Sequence, residues 1–166
     1  MMLLTIFLAI VFCGAITLML LSAVAFIQKK AFFSSAPKEA QAVIQPREHE
    51  LFYGARIIGW TLMGFSVLMI LGVGVVAIWD GFRSGFTFWQ FFLRFVLIFT
   101  IYKLYDMICF DYFLLIKFKF FQYYYPEVEP VYENRKYGFN LTSQLLKLLV
   151  IFPAASALAA WVCTLF

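Results

Sequence analysis

The sequence MMLLTIFLAIVFCGAITLMLLSAVAFI, residues 1–27, contains no charged side chain and ends abruptly at Gln28, Lys29 and Lys30. The hydrocarbon core of a bilayer is about 30 Å thick, so a spanning helix needs about 20 mostly apolar residues. Residues 1–27 meet that length. Their apolar length and the position of the positive charges after the run favour a retained membrane anchor over a cleaved signal peptide.

Three further stretches of the chain are apolar enough to suggest membrane crossings. With their flanks included, the sequence predicts helices over residues 1–27, 51–79, 86–108 and 145–166, although Arg94 and Lys103 interrupt the third. The expected fold is an all-α polytopic membrane protein. Its four transmembrane helices are expected to form a small bundle in a single domain of residues 1–166.

The composition supports a lipid environment. Of the 166 residues, 64% are hydrophobic and only 13% are charged, whereas about 25% of residues are charged in soluble proteins. The net charge of +4 comes from bases scattered between apolar runs. Without a basic stripe or an RNA-binding signature, nucleic acid is not an expected partner, and anionic lipid headgroups are the expected counter-charge.

The distribution of Lys and Arg predicts the orientation. Five such residues lie in or beside the first connection and six in or beside the third, whereas the second holds Arg83 alone. In order they are Lys29, Lys30, Lys38, Arg47, Arg56, then Lys103, Lys117, Lys119, Arg135, Lys136 and Lys147. Because positive charge concentrates in cytoplasmic loops, residues 28–50 and 109–144 are predicted to be cytoplasmic and both termini extracytoplasmic. The plasma (cytoplasmic) membrane is the expected location.

The two predicted cytoplasmic connections differ in character. The first, residues 28–50, mixes charge with Pro and Ser and is predicted to be a solvated loop. The third carries nine Phe and Tyr side chains among charges from residue 118 to residue 139, where Pro126 and Pro130 forbid one continuous helix. Aromatic rings with a polar edge suit the headgroup layer, so we expect this segment to lie along the inner membrane surface before the last helix.

Small side chains predict how the helices pack, because the hydrophobic effect does not drive helices together in lipid. In the fourth helix, Ala155 with Ala159 and Ser156 with Ala160 share faces at four-residue spacing. The third helix instead offers a row of Phe side chains: Phe86, Phe88, Phe91, Phe92, Phe95 and Phe99. We expect that row to face lipid or a partner subunit.

Arg94 is the most informative single residue, because a guanidinium within the bilayer is costly. It lies five positions beyond Trp89, and Gln90 lies one turn away on the same face. One interpretation is a polar site in which Gln90 and Arg94 contact a ligand or a partner. The alternative is an arginine that extends outward to the headgroups.

A second set of charges is expected at the inner interface, formed by Arg56, Lys103, Asp106, Asp111 and Lys117. On an ideal helix, Lys103, Asp106 and Lys117 fall within about 60° of one another. They could form an ion or proton site, or ordinary interfacial charge in which Lys103 pairs with Asp106. Asp106 and Asp111 lie about 140° apart, which argues against a catalytic dyad. Either could pair with Arg56.

Motifs for covalent chemistry are missing from the sequence. His49 is the sole histidine, the three cysteines form no CxxC, and no nucleophile elbow, phosphate loop or dinucleotide fingerprint occurs. We therefore predict no catalytic residue, metal site or cofactor.

Three functions remain open. The leading hypothesis is a membrane protein that binds lipid-like molecules, or that serves as a subunit or partner of a larger membrane complex or homo-oligomer. The first alternative is a small transporter or channel that uses Arg94, Lys103 and Asp106 in an oligomer. The second is a membrane enzyme that acts on lipid headgroups at the cytoplasmic face and uses Asp106, Asp111, His49 or Glu50, which would have to converge around one cavity.

Overall fold

The computed structural model describes residues 1–33, 38–45, 47, 49–133 and 141–165, and all regular secondary structure in these residues is helical. The prediction of an all-α fold is confirmed. The α-helices are α1 (Met2–Leu21), α2 (Lys38–Val43), α3 (Ala55–Arg83), α4 (Phe88–Tyr105), α5 (Phe120–Tyr124), α6 (Glu129–Tyr132), α7 (Leu141–Leu146) and α8 (Phe152–Cys163).

Several helices continue as π-helix, in which each N–H group reaches five residues back. The π-helical segments are Ser22–Ile27 after α1, Asp106–Lys117 after α4, and Lys147–Ile151 between α7 and α8. The first ends where the Gln28 N–H donates to the Ala23 carbonyl at 2.9 Å, with Gln28 in the left-handed region. Short 3₁₀ turns occupy Lys30–Phe33 and Pro126–Val128.

Within the described residues, three helices are long and apolar enough to cross a membrane: Met2–Ile27, Ala55–Arg83 and Thr142–Cys163. They indicate an integral membrane location. The α4 helix is not one of the three. It carries Arg94 and Lys103, and Asp106 follows it directly.

The helix limits differ from the predicted ones for local reasons. The second helix begins at Ala55 instead of residue 51, because Gly54 adopts the left-handed conformation (φ 86°). The Gly54 N–H donates a hydrogen bond to the Glu50 carboxylate at 2.9 Å. It runs to Arg83 instead of residue 79. The third begins at Phe88, and its π-helical continuation passes the predicted limit of 108 to reach Lys117.

The contacts divide the chain into two compact units. The first unit comprises Met1–Ala15, Leu68–Met107 and Phe139–Phe166. Its core combines large side chains of α4 with small ones of α3 and α8: Leu8, Ala9, Val73, Ala77, Phe91, Phe95, Ile98, Ala160 and Cys163. Phe91 and Phe95 therefore lie inside, unlike the lipid-facing row expected from the sequence. Small residues such as Ala77 and Ala160 leave the space that these rings fill.

The second unit comprises Ile16–Val67 and Ile108–Gly138. Its larger cluster joins the first connection to the third: Val24, Ala40, Ile44, Leu115, Tyr125, Val128 and Tyr132. The first connection, expected to be a solvated loop, thus contains the short helix α2, which buries Ala40. In the third connection, Pro126 starts a 3₁₀ turn between α5 and α6, which agrees with the expected break in the helix. Residues 34–37, 46, 48 and 134–140 of these connections lie outside the described residues.

The prediction of a single domain over residues 1–166 stays a prediction.

Candidate functional site

The α3–α4 hairpin of the first unit positions Arg94. Gly85 (φ 63°) follows the end of α3, and the Phe86 N–H donates to the Gly81 carbonyl at 3.0 Å. A Cβ atom on Gly81 would lie 2.5 Å from Cζ of Phe91, which is 1% exposed. Only glycine allows the ring this close to the α3 backbone, so the two helices pack tightly just beyond the turn.

Arg94 is fully buried and is paired within the chain. Its Nη2 donates to Oδ2 of Asp80 at 2.7 Å, and its Nη1 donates to the Ala77 carbonyl at 2.7 Å. Its Cζ lies 4.3 Å from the centroid of the Phe86 ring. The Asp80 side chain is 27% exposed. Hydrogen bonds between ionised groups are about twice as strong as neutral ones, so this pair ties α4 firmly to α3.

Gln90 caps the start of α4. Its Oε1 accepts a hydrogen bond from the Thr87 N–H at 2.8 Å, which completes a capping box at the start of α4. Gln90 is exposed, whereas Arg94 is buried. The structure does not join the two in a polar site, and their contact with a ligand or a partner stays a prediction.

Sequence reasoning missed Asp80 as the partner of Arg94. A signal was available, because both residues lie seven positions from Thr87. Helices that run antiparallel from a short turn place such residues at a similar height. A buried cation therefore points to an acidic residue at the mirrored position of the preceding helix.

Lys103 and Asp106 form an ion pair at i,i+3 spacing at the end of α4. Lys103 is 4% exposed, and the Asp106 N–H caps the helix by donating to the carbonyls of Tyr102 and Lys103. Arg94 and Lys103 are nine residues apart, so they lie about 180° from each other around α4. The two ion pairs therefore occupy opposite faces of this helix.

The other three members of the expected inner-interface set, Arg56, Asp111 and Lys117, belong to the second unit. The Nη2 of Arg56 donates to the Arg47 carbonyl at 2.7 Å. Asp111 is half-buried, and Lys117 is exposed at the end of its π-helical segment. The predicted shared face with Lys103 assumed α-helical rotation, which a π-helix does not follow. A tie between Arg56 and an aspartate stays a prediction.

In the second unit, Arg47 joins the first connection to the third. Its Nη2 contacts Oε2 of Glu127 at 2.8 Å and the Tyr124 carbonyl at 3.2 Å. The Gln45 N–H donates to the other carboxylate oxygen of Glu127 at 3.3 Å. The Cζ of Arg47 lies 5.3 Å from the centroid of the Tyr125 ring. These contacts join segments about 80 residues apart.

Two groups of the third connection have shifted pKa values. Burial raises the pKa of the Tyr125 phenol to about 12, against a lowering effect of the Arg47 charge. The hydrogen bond from Lys119 to Glu129, 2.6 Å long, together with the carboxylate charge raises the pKa of that ammonium above its ordinary value. Both shifts favour the protonated state of the folded connection.

The described residues hold no group of three or more His, Cys, Asp or Glu side chains placed to bind a metal ion. His49 is exposed. Comparison with known protein families, with curated proteins and with solved structures found no match to this chain.

Proposed function

We propose that the protein is a four-span membrane protein that works by binding lipid-like molecules, or another membrane protein, without covalent chemistry of its own. The observation that carries this proposal is the contrast between its interior and its surface. The cations of α4 are paired within the chain. By contrast, only 28%, 22% and 11% of the most apolar windows of the three candidate spans are buried. Such surfaces suit binding in the plane of the membrane.

The number of spans is supported by contacts within the second unit. The contact of Arg47 in the first connection with Glu127 in the third supports placing both connections on one side of the membrane. α3 can cross once, so the chain has to return between Arg83 and Phe118. The helix formed by α4 and its π-helical continuation is the segment available for that return. Both termini would then lie on the opposite side, and the Lys and Arg distribution makes that side extracytoplasmic.

Impermeant maleimide labelling of intact cells tests this topology. In a variant without the native cysteines, cysteine would replace one exposed residue at a time, Tyr53, Ser84 or Tyr123. We expect labelling of Ser84→Cys in intact cells, and of the other two only after permeabilisation. Labelling of Tyr53→Cys and Tyr123→Cys from opposite sides would mean that the chain crosses an odd number of times between them.

The transporter alternative loses support from the helix geometry. Arg94 and Lys103 lie on opposite faces of α4, and each is held by an aspartate. One pathway along this helix could not be lined by both without breaking an ion pair. The enzyme alternative is weakened in the same way, because Asp106 is committed to Lys103 and the Glu50 carboxylate accepts the Gly54 N–H.

Purification in a mild detergent, followed by native mass spectrometry, tests the binding function. We expect a defined lipid or a membrane protein to remain bound, and to return when a delipidated sample is mixed with a native membrane extract. A monomer that retains neither through purification and regains neither from the extract would overturn the proposal.

A further inference from the structure

A close contact between the ends of two helices creates an aromatic and basic cluster in the second unit. A Cβ atom on Gly59 would lie 2.8 Å from both Cγ1 of Ile27 and Cβ of Phe26. The backbone of α3 at Gly59 therefore packs directly against the side chains of Phe26 and Ile27, at the π-helical end of the first span. This approach places Trp60, the next residue, beside the basic residues that follow the first span.

The Lys29–Trp60 cluster consists of Lys29, Lys30, Phe32 and Trp60. Nζ of Lys29 lies 5.3 Å from the centroid of the Trp60 ring, and the Phe32 ring packs against that indole edge-on at 5.9 Å. Both lysines are exposed, Trp60 is 48% exposed and Phe32 is 39% exposed. Among the described residues, no carboxylate lies within 4.0 Å of either lysine. Both ammonium groups are exposed and can therefore meet an anion from outside the chain.

We infer that the Lys29–Trp60 cluster binds the phosphate of an anionic phospholipid in the leaflet at the cytoplasmic side. The inference rests on the proposed function and names the class of lipid. The lysine ammonium groups offer donors and charge to a phosphate, as anionic headgroups require. The indole N–H adds a donor, while the faces of Trp60 and Phe32 cover the glycerol and upper acyl carbons.

The depth of the cluster supports a lipid in preference to a soluble anion. Trp60 lies five residues from the start of α3, about 7.5 Å along the helix axis at 1.5 Å per residue. The exposed side chains Leu51, Phe52 and Ile57 are apolar and flank the same helix start. A free phosphate gains nothing from contact with these apolar side chains, whereas the acyl chains of a phospholipid can pack against them.

The opposite end of α3 provides a matched control. There, Cζ of Arg83 lies 5.4 Å from the centroid of the Trp79 ring, which is 58% exposed. The geometry of cation over indole is similar, but Arg83 is a single base. Replacing Arg83 with Gln removes the same charge as replacing Lys29, at a position about 23 residues or 35 Å along the helix from Trp60.

Fluorescence quenching in vesicles tests the inference. The protein with Trp79, Trp89 and Trp161 replaced by Phe keeps Trp60 as its sole indole, and in this background Arg83→Gln is a control for charge alone. It is reconstituted in phosphatidylcholine containing increasing brominated phosphatidylglycerol, or brominated phosphatidylcholine as the reference. We expect phosphatidylglycerol to be preferred near Trp60 at least fivefold. Because each surface base contributes about a fivefold effect, Lys29→Gln and Lys30→Gln should each reduce the preference roughly fivefold, and Arg83→Gln should not change it.

Each other outcome has a definite meaning. Equal quenching by both lipids would overturn the anionic-lipid inference while leaving lipid binding, as measured by native mass spectrometry, in place. Absence of quenching by either lipid would show that Trp60 faces a protein or water, and would also overturn the inference. An equal loss of preference in Arg83→Gln would assign the selectivity to overall charge instead of this cluster. Failure of the native mass spectrometry test alone would count against the proposed function.

Discussion

Replacing Asp80 with Asn should destabilise the protein more than replacing its partner, Arg94, with an apolar residue of similar length. The substitution keeps the shape of the side chain but leaves Arg94, fully buried, without its counter-charge. Breaking a buried ion pair from one side costs about 3–5 kcal/mol. The Ala77 carbonyl still accepts one guanidinium hydrogen bond at 2.7 Å. We therefore expect a loss near the lower end, about 3 kcal/mol.

A substitution at Arg94 should cost less free energy of unfolding. In Arg94→Met, an apolar side chain of similar length takes the place of the buried cation. Asp80, whose side chain is 27% exposed, can then be solvated. We expect Asp80→Asn/Arg94→Met to be more stable than Asp80→Asn alone. The coupling energy of the double-mutant cycle should then be about 1–3 kcal/mol.

Equilibrium unfolding of the four proteins in mixed micelles, with SDS as denaturant and circular dichroism as signal, gives these free energies. Two results would refute the reasoning: additivity of the single effects within about 0.5 kcal/mol, or Arg94→Met being more damaging than Asp80→Asn. Either would mean that the guanidinium extends to the headgroups, as the sequence alone also allowed.

Three further predictions concern the hairpin and the connections. Gly81→Ala should cost about 1–3 kcal/mol in the same unfolding assay, because its methyl group meets the Phe91 ring; an effect below about 0.5 kcal/mol would contradict the close packing. Arg47→Ala should loosen the contact with Glu127 and make the third connection cleave faster in limited proteolysis, whereas unchanged cleavage would mean that this ion pair does not hold the connection. Above pH 10, unfolded tyrosine ionises while buried Tyr125, with its pKa near 12, stays protonated, so the folded state loses stability as the pH rises from 10 to 12. Tyr125→Phe should flatten that decline in unfolding midpoint; an unchanged slope would assign it to other groups, including Lys119.

The sequence was sufficient for the helical class and for the apolar helices α1 and α3. Both are read directly from charge-free runs, since length and hydropathy alone decide whether a segment suits lipid. The residues at which the helices begin, end or change to π-helix were less predictable. Gly54 delays the start of α3, and nothing in residue spacing announces that the helix after Tyr105 changes to π-helix, because apolar periodicity in a nearly all-apolar segment is weak.

Contacts between distant segments were the main features that sequence reasoning could not supply. The pairing of Arg47 with Glu127 depends on how two connections meet, and their separate compositions indicated only a solvated loop and an interfacial segment. For Arg94, the unusual position of the charge identified the residue but not its partner. The cost of burying a cation says that a partner is needed, whereas its identity follows from the height of Asp80 on the neighbouring helix.

The charges of α4 explain why this helix, taken alone, falls short of an apolar span. Arg94 draws its partner from α3, and Lys103 draws its own from three residues further along. A helix with such charges becomes acceptable to lipid only when the cations are matched, and α3 supplies the match for Arg94. The contact of Gly81 with Phe91 acts on the same two helices through packing. Arg94 thereby ties α4 to α3 in the hairpin, and its contact with a ligand or a partner stays a prediction.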